Sequence, residues 1–307
     1  MTLNTQEIPS IKKDAVERTT PEVKSRTDDD LAPLVDKPPI LIESLESGVR
    51  LELGELWVYR ELLYFLTLRD VKVRYKQTLM GAAWVIIQPL GTMLIVTLFF
   101  NKLAGLQSGQ IPYPLFAYSG LLLWTFFSNA VTNSTNSLIS NTNLITKVYF
   151  PRMFIPIAAV GAGLVDLAIA SLVLIGLAIY YGIAFSWEIT LLPVFTLLAV
   201  VLAAAVGILI SALTVKYRDL KHALPFIIQE WMFASPVIYP PGIVPDKWRW
   251  LLNLNPLSGI IEGFRSALIG RTFDWAAIGV ATAITMGLLI SAVYIFRKTE
   301  DTFADLI

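Results

Sequence analysis

The sequence predicts an all-α membrane protein, with six transmembrane helices, an N-terminal amphipathic interface helix and re-entrant outer helices before the last span. Three observations predict it. Of 307 residues, 55% are hydrophobic and 16% charged, with a mean hydropathy of +0.63; a soluble domain carries roughly 25% charged residues. Several uncharged stretches reach the length needed to cross a bilayer, about 20 mostly apolar residues for a hydrocarbon layer roughly 30 Å thick. Lysine and arginine recur on alternate loops, the asymmetry that sets membrane orientation.

Taken in order, residues 1–50 mix acids, bases, Pro and Thr, with an acidic run at Asp28, Asp29 and Asp30. No helical or strand period persists, and such a segment cannot bury enough apolar surface to offset its ordering entropy. It reads as a flexible cytoplasmic tail; the alternative is a docking segment that orders on a partner. Residues 51–78 form the interface helix: Leu56, Tyr59, Leu63 and Leu66 recur at helical spacing, and Arg69, Lys72, Arg74 and Lys76 cluster at the far end. That pattern suits a helix lying along the membrane surface with its cations toward anionic headgroups.

The six-span domain covers 79–297. Spans are expected at about 80–100, 115–138, 155–180, 191–215, 223–238 and 275–296. Lys147 with Arg152, then Lys216 with Arg218 and Lys221, then Arg297 with Lys298, all return to the side on which Lys76 lies. Both termini are therefore placed inside, with 298–307 as a C-terminal cytoplasmic tail. Between 239 and 271 lie two interface anchors, Trp248 and Trp250. After Pro256, the residues Leu257, Ile260, Ile261, Phe264 and Leu268 share one helical face, and Glu262 and Arg265 are three apart, close enough to pair. Too short and polar to cross, this region fits a pair of re-entrant helices covered by protein.

Several chemistries are excluded. A net charge of zero offers no electrostatic footprint for nucleic acid, and no cysteine means no disulfide or thiolate site. The lone His222 cannot build a metal site, and no apolar core of signal-peptide type precedes residue 49. No Gly-Lys pair occurs anywhere, so there is no phosphate-binding loop. ATP-driven work would need ATP held by another chain.

Asp166 lies deep in the third span, where a carboxylate costs about 2.5–3.5 kcal/mol and so faces protein or water. A hydrogen bond between helices is preferred over a proton or substrate site, since no second acid accompanies it; Glu230 in the fifth span is similar. The small residues Ala158, Gly161, Ala162 and Gly163, and Gly207 with Ser211, suit close helix packing. Among the aromatics, Trp84, Tyr118, Trp124 and Phe127 are candidates for a path in which rings slide over sugar faces; interfacial belts are the alternative.

A set of motifs then appears in order. They are LRDVKVRY from Leu68 to Tyr75, LMGAAW from Leu79 to Trp84 with Gln88 and Pro89, and LWTFF from Leu123 to Phe127. NLITKVYFPR from Asn143 to Arg152 follows, then Tyr217-Arg218-Asp219, SPVIYP from Ser235 to Pro240, Asn255-Pro256, and EGFR from Glu262 to Arg265. Together they resemble type-2 ABC transporter permeases that export polysaccharides, over about 55–297.

The resemblance implies a homodimer of six-span subunits in the bacterial cytoplasmic (inner) membrane, bound to two ABC ATPase subunits that hold ATP and Mg. The cargo it implies is a lipid-linked polysaccharide: O-antigen, capsule or teichoic acid. No cofactor belongs to this chain and it is not an enzyme. Within that reading Lys147, Tyr149, Arg152, Arg218 and Asp219 form loops that couple to the ATPase. Arg69, Arg74 and Lys76 meet the pyrophosphate of the lipid carrier, among membrane lipids, and Glu262 and Arg265 hold the re-entrant part. The competing classes are an exporter of drugs or small lipids, a proton-coupled secondary transporter using Asp166 and Glu230, and a polysaccharide-synthesising membrane enzyme. No internal repeat favours the second, and no convergent acid, base or metal cluster favours the third.

Overall fold

A computed structural model describes residues 59–76, 81–106, 111–147, 150–184, 186–300 and 303. The tail expected over 1–50 lies outside them. All regular elements among the described residues are helical. In order they are α1 (Arg60–Lys76), α2 (Gly81–Val96) with a π-helical continuation (Thr97–Leu103), α3 (Tyr113–Ser140), the short α4 (Thr142–Lys147) and α5 (Phe154–Tyr180). Then come α6 (Leu192–Lys216), α7 (Leu220–Phe233), the short α8 (Arg249–Leu254), α9 (Pro256–Ile269) and α10 (Trp275–Glu300).

Five of these are long and apolar enough to cross a membrane: α2 with its continuation, α3, α5, α6 with the turn before it, and α10. Helix α3 is the centre of the bundle, with 78% of its span buried, against 17% for α2 and for α10. It is also the least apolar of the five. The two facts share a cause: a helix facing lipid must be apolar all round, whereas one enclosed by protein can carry polar groups that meet other helices. Ser119, Ser134, Thr135 and Ser137 of α3 are buried, and several α3 hydroxyls, such as that of Thr132, donate to the carbonyl a turn earlier.

Close helix contact depends on the small residues. A Cβ on Gly207 would lie 2.5 Å from Ser134 Oγ, so α6 can approach α3 only because Gly207 has none. A Cβ on Gly163 would meet the Phe126 ring at 3.3 Å, and one on Gly161 would meet Thr67 at 3.2 Å. The small-residue stripe thus serves α5 on both sides.

The bundle has two chemically distinct ends. Trp187, Trp248, Trp250 and Trp275 are exposed at one, where Phe195 of α6 stacks on Phe273 just before α10 at 6.0 Å. At the other end Ile145, Phe150, Phe154, Val215 and Phe296 bury together with Leu66 of α1. Helices α6 and α10 therefore run parallel, both from the tryptophan end to the other, and the chain between Lys216 and Trp275 starts at one end and finishes at the other.

The fifth expected span, 223–238, is not one helix. Helix α7 covers Leu220–Phe233, 14 residues, a rise of about 21 Å and short of the hydrocarbon thickness. It stops where Pro236, lacking an N–H, would clash with the preceding turn, and turns follow through Ser235–Val237. Helix α1 also differs from expectation. It docks lengthwise on α5: Tyr59 meets Phe154, with ring centroids 6.3 Å apart, Thr67 faces Gly161, and Arg74 reaches Asp166.

Candidate functional site

At the end opposite these tryptophans the two basic loops come together through their apolar neighbours. Ile145 of α4 is buried beside Phe150, Met153 and Val215. This leaves Lys147 exposed at the end of α4, with Arg218 and Asp219 exposed in the turn between α6 and α7. Tyr149, expected in the same loop, lies outside the described residues. Arg152 is turned inward. Its backbone N–H donates to Glu300 Oε1 at 3.0 Å, and its guanidinium donates to the Glu300 carbonyl. Phe303, 1% exposed, packs edge-on against Phe296 at 5.3 Å. The loop is thus clasped to the end of α10, a role for Glu300 and Phe303 that nothing in their immediate sequence announced.

The basic end of α1 is less free than its sequence suggested. Arg69 is taken up by its neighbour Asp70 at 2.8 Å. Arg74 and the Tyr75 hydroxyl both donate to the Asp166 carboxylate. Burial and that bond to Asp166 push the Tyr75 phenol up to about 12, so at neutral pH it stays a proton donor. Only Lys76 of the three expected anion-binding cations is exposed. Asp166 is accordingly tied to another helix by a cation and a hydroxyl.

The four aromatics expected along a path are not brought together. Tyr118 is fully buried and donates to the Ala170 carbonyl at 3.0 Å. Phe127, also fully buried, sits edge-on to Trp231 at 5.1 Å, and Trp124 packs on Phe127 at 5.9 Å. These three fill the core around α3; Trp84 alone faces outward, 57% exposed. Their spacing left a path and an interfacial belt open; three of the four are instead enclosed around the central α3.

The most organised polar cluster lies at the tryptophan end, where α7 breaks. Glu262 and Arg265 of α9 do pair, Nη1 to Oε1 at 2.6 Å. Arg265 does far more. Its Nη1 donates to the Pro236 carbonyl at 2.7 Å, and Nη2 to those of Val237 at 2.7 Å and Phe116 at 3.0 Å. The guanidinium also lies over the Phe116 ring, 3.6 Å from its centroid, and the residue is 3% exposed. Tyr113 Oη donates to the Ile238 carbonyl at 2.5 Å. Asn255, the N-cap of α9, accepts from Leu257 N–H and from Trp231 Nε1, both at 3.1 Å. Its amide donates to Ala234 O at 3.2 Å and to Ser235 Oγ at 2.8 Å.

Four carbonyls after α7, those of Ala234, Pro236, Val237 and Ile238, and the Ser235 hydroxyl are thereby satisfied by side chains from α3 and α9, sparing the cost of burying bare backbone. Two motifs far apart in sequence, SPVIYP and EGFR, are the two halves of this junction.

Residues 61–269 match the ABC-2 type transporter family. The chain is similar to the O-antigen export system permease protein RfbA of Myxococcus xanthus, 30% identical over 255 residues, covering 82% of this chain and 97% of that protein. The protein of the same description from Klebsiella pneumoniae is 29% identical over 252 residues, 80% of this chain and 95% of its own length. The polysialic acid transport protein KpsM of Escherichia coli is 23% identical over 241 residues, 77% and 92% of the two chains. The matched region spans both the clasped loop and the Arg265 junction, and the chain belongs to the ABC-2 type transporter family.

Proposed function

We propose that the chain is the membrane-spanning permease subunit of an ATP-driven exporter that moves a lipid-linked polysaccharide, O-antigen-like in class, across the bacterial cytoplasmic membrane. The observation that carries this reading is similarity over nearly the whole length of permeases named for O-antigen export. Two ABC ATPase subunits hold the ATP and Mg; this chain supplies the path and the loops that receive their motion. The exposed Lys147, Arg218 and Asp219 sit at one end of the bundle, and Arg152 passes movement of that loop to α10 through Glu300.

Six crossings fit this geometry. The chain from Lys216 to Trp275 must make one net crossing between the parallel α6 and α10. Helix α7 supplies most of the rise, and the capped turn at Ser235–Val237 supplies the rest, with α8 and α9 as the re-entrant pair. The termini, 1–50 and 298–307, then share the cytoplasmic side, the helix within 51–78 starts at that side and lies along α5, and 79–297 is the transmembrane domain. Two copies assemble side by side. Glu230 lies exposed on α7 near Phe226 and Phe233; a carboxylate there is costly against lipid, so this face meets a second copy or water. Of the cations expected to greet the carrier's pyrophosphate, Lys76 is the one that faces outward, and Arg74 positions the helix.

The test is deletion of the coding region in its host. Surface polymer should disappear while lipid-linked polymer accumulates inside, and the wild-type chain should restore export only with a hydrolysis-competent ATPase. Unchanged surface polymer in the deletion strain would overturn the reading.

A further inference from the structure

A cavity of about 440 Å³ opens at the tryptophan end, between α8, one face of α9 and the start of α10. Its size lies within the roughly 300–1,000 Å³ of small-molecule sites. Ser258, Glu262 and Ser266 present polar groups from α9, Arg249 and Asn253 from α8, and Thr272 with Arg271 and Asp274 from the connection to α10. Ser258 is 5% exposed and its Oγ has no hydrogen-bond partner.

The charges decide what kind of group fits. Two guanidinium groups, Arg249 and Arg271, face two carboxylates, Glu262 and Asp274, so the lining is formally neutral. Three of the four are partly engaged: Arg249 pairs with Asp246 at 2.9 Å, Glu262 with Arg265 at 2.6 Å, and Asp274 Oδ1 accepts the Ala277 N–H at 3.0 Å. An anion would meet the carboxylates and a cation the guanidiniums. What fits is an uncharged group offering many donors and acceptors at once, the pattern of vicinal hydroxyls, which carboxylate, amide, hydroxyl and guanidinium groups can all bond.

We propose that this cavity is a carbohydrate subsite at the exit end of the permease, holding an uncharged, hydroxyl-rich stretch of the sugar chain as it leaves. The inference rests on the polysaccharide reading above. It adds a site outside the buried aromatics and the basic end of α1, and assigns the re-entrant helices a binding role.

The test is photo-crosslinking in cells that export the polymer. A benzophenone amino acid at Gly242, which lines the cavity and where a Cβ would meet no atom within 4 Å, is the probe; one at Ile290, 62% exposed on α10, is the control. Thr272, exposed and also lining, serves if the Gly242 variant fails to export. Irradiation should give polymer-bearing adducts at Gly242 several-fold above Ile290, and Asn253→Leu should reduce them several-fold. Adducts at Gly242 no greater than at Ile290, or bearing lipid without sugar, in cells whose surface polymer depends on this chain, would overturn the subsite and leave the export reading standing. Surface polymer that does not depend on this chain would overturn both.

Discussion

Replacing Arg265 by Met keeps much of the side-chain volume and removes every bond the guanidinium makes. Three carbonyls, those of Phe116, Pro236 and Val237, lose their donor, and the Glu262 carboxylate loses its counter-ion. Each orphaned buried acceptor costs about 1–3 kcal/mol. Glu262 also lines the cavity, so water can reach part of the vacated space, which favours the low end of that range. The total is then about 3–5 kcal/mol, the usual cost of breaking a buried pair by removing one partner. That is a large share of the roughly 5–15 kcal/mol by which folded domains are stable.

Arg265→Lys keeps the charge but replaces a planar fork by a single ammonium. It should fall between wild type and Met. Gly120→Ala gives an independent check from the opposite wall, because its Cβ would lie 2.4 Å from Arg265 Nη2 and 2.5 Å from the Val237 carbonyl. It should damage the same junction without altering any residue of α9. The assay is the fraction of detergent-purified protein that stays monodisperse after heating, read by size-exclusion chromatography. Arg265→Met with a wild-type midpoint would refute the claim that this guanidinium holds the broken end of α7.

Two further outcomes follow from the other end. Asp166→Leu removes the acceptor shared by Arg74 and Tyr75 and should destabilise by about 1–3 kcal/mol; Asp166→Asn, which still accepts from Tyr75, should lose less and retain export. In a double-mutant cycle with Arg74→Leu, heat-stability midpoints should show coupling, and strict additivity would mean the pair contributes nothing. Phe303→Ala should cost about 3–5 kcal/mol because the ring is buried against Phe296; an unchanged midpoint would show that the C-terminal clasp is not part of the folded bundle.

Long, predominantly apolar helices were readable because their signal is local. The spans α3, α5, α6 and α10 each declare themselves within about 20 residues, and the apolar face of α9 shows in a period of 3.6 residues beside polar neighbours. The break in α7 was also written locally, in Ser235 and Pro236, but apolar composition continues through Val237 and Ile238 and a composition window runs straight over the proline.

Pairing is a different kind of information. Arg74 and Asp166 are 92 residues apart, and a search for a second acid beside Asp166 looks in the wrong place, because the partner is a cation on a helix that docks alongside. Arg265 reaches carbonyls 28, 29 and 149 residues away. A carbonyl has no residue identity, so no pattern of side chains can reveal that it needs a donor. What the sequence does carry is the pair of conditions that create the need: a helix too short to cross, and an arginine placed in an otherwise apolar helix face. A short apolar helix ended by proline, followed within about 30 residues by a lone arginine on a buried face, is therefore a testable signature of a capped break. It predicts that an unrelated membrane chain with the same two features will place that guanidinium on the carbonyls of the interrupted helix, for the energetic reason that operates here: bare backbone inside a membrane protein must find a donor.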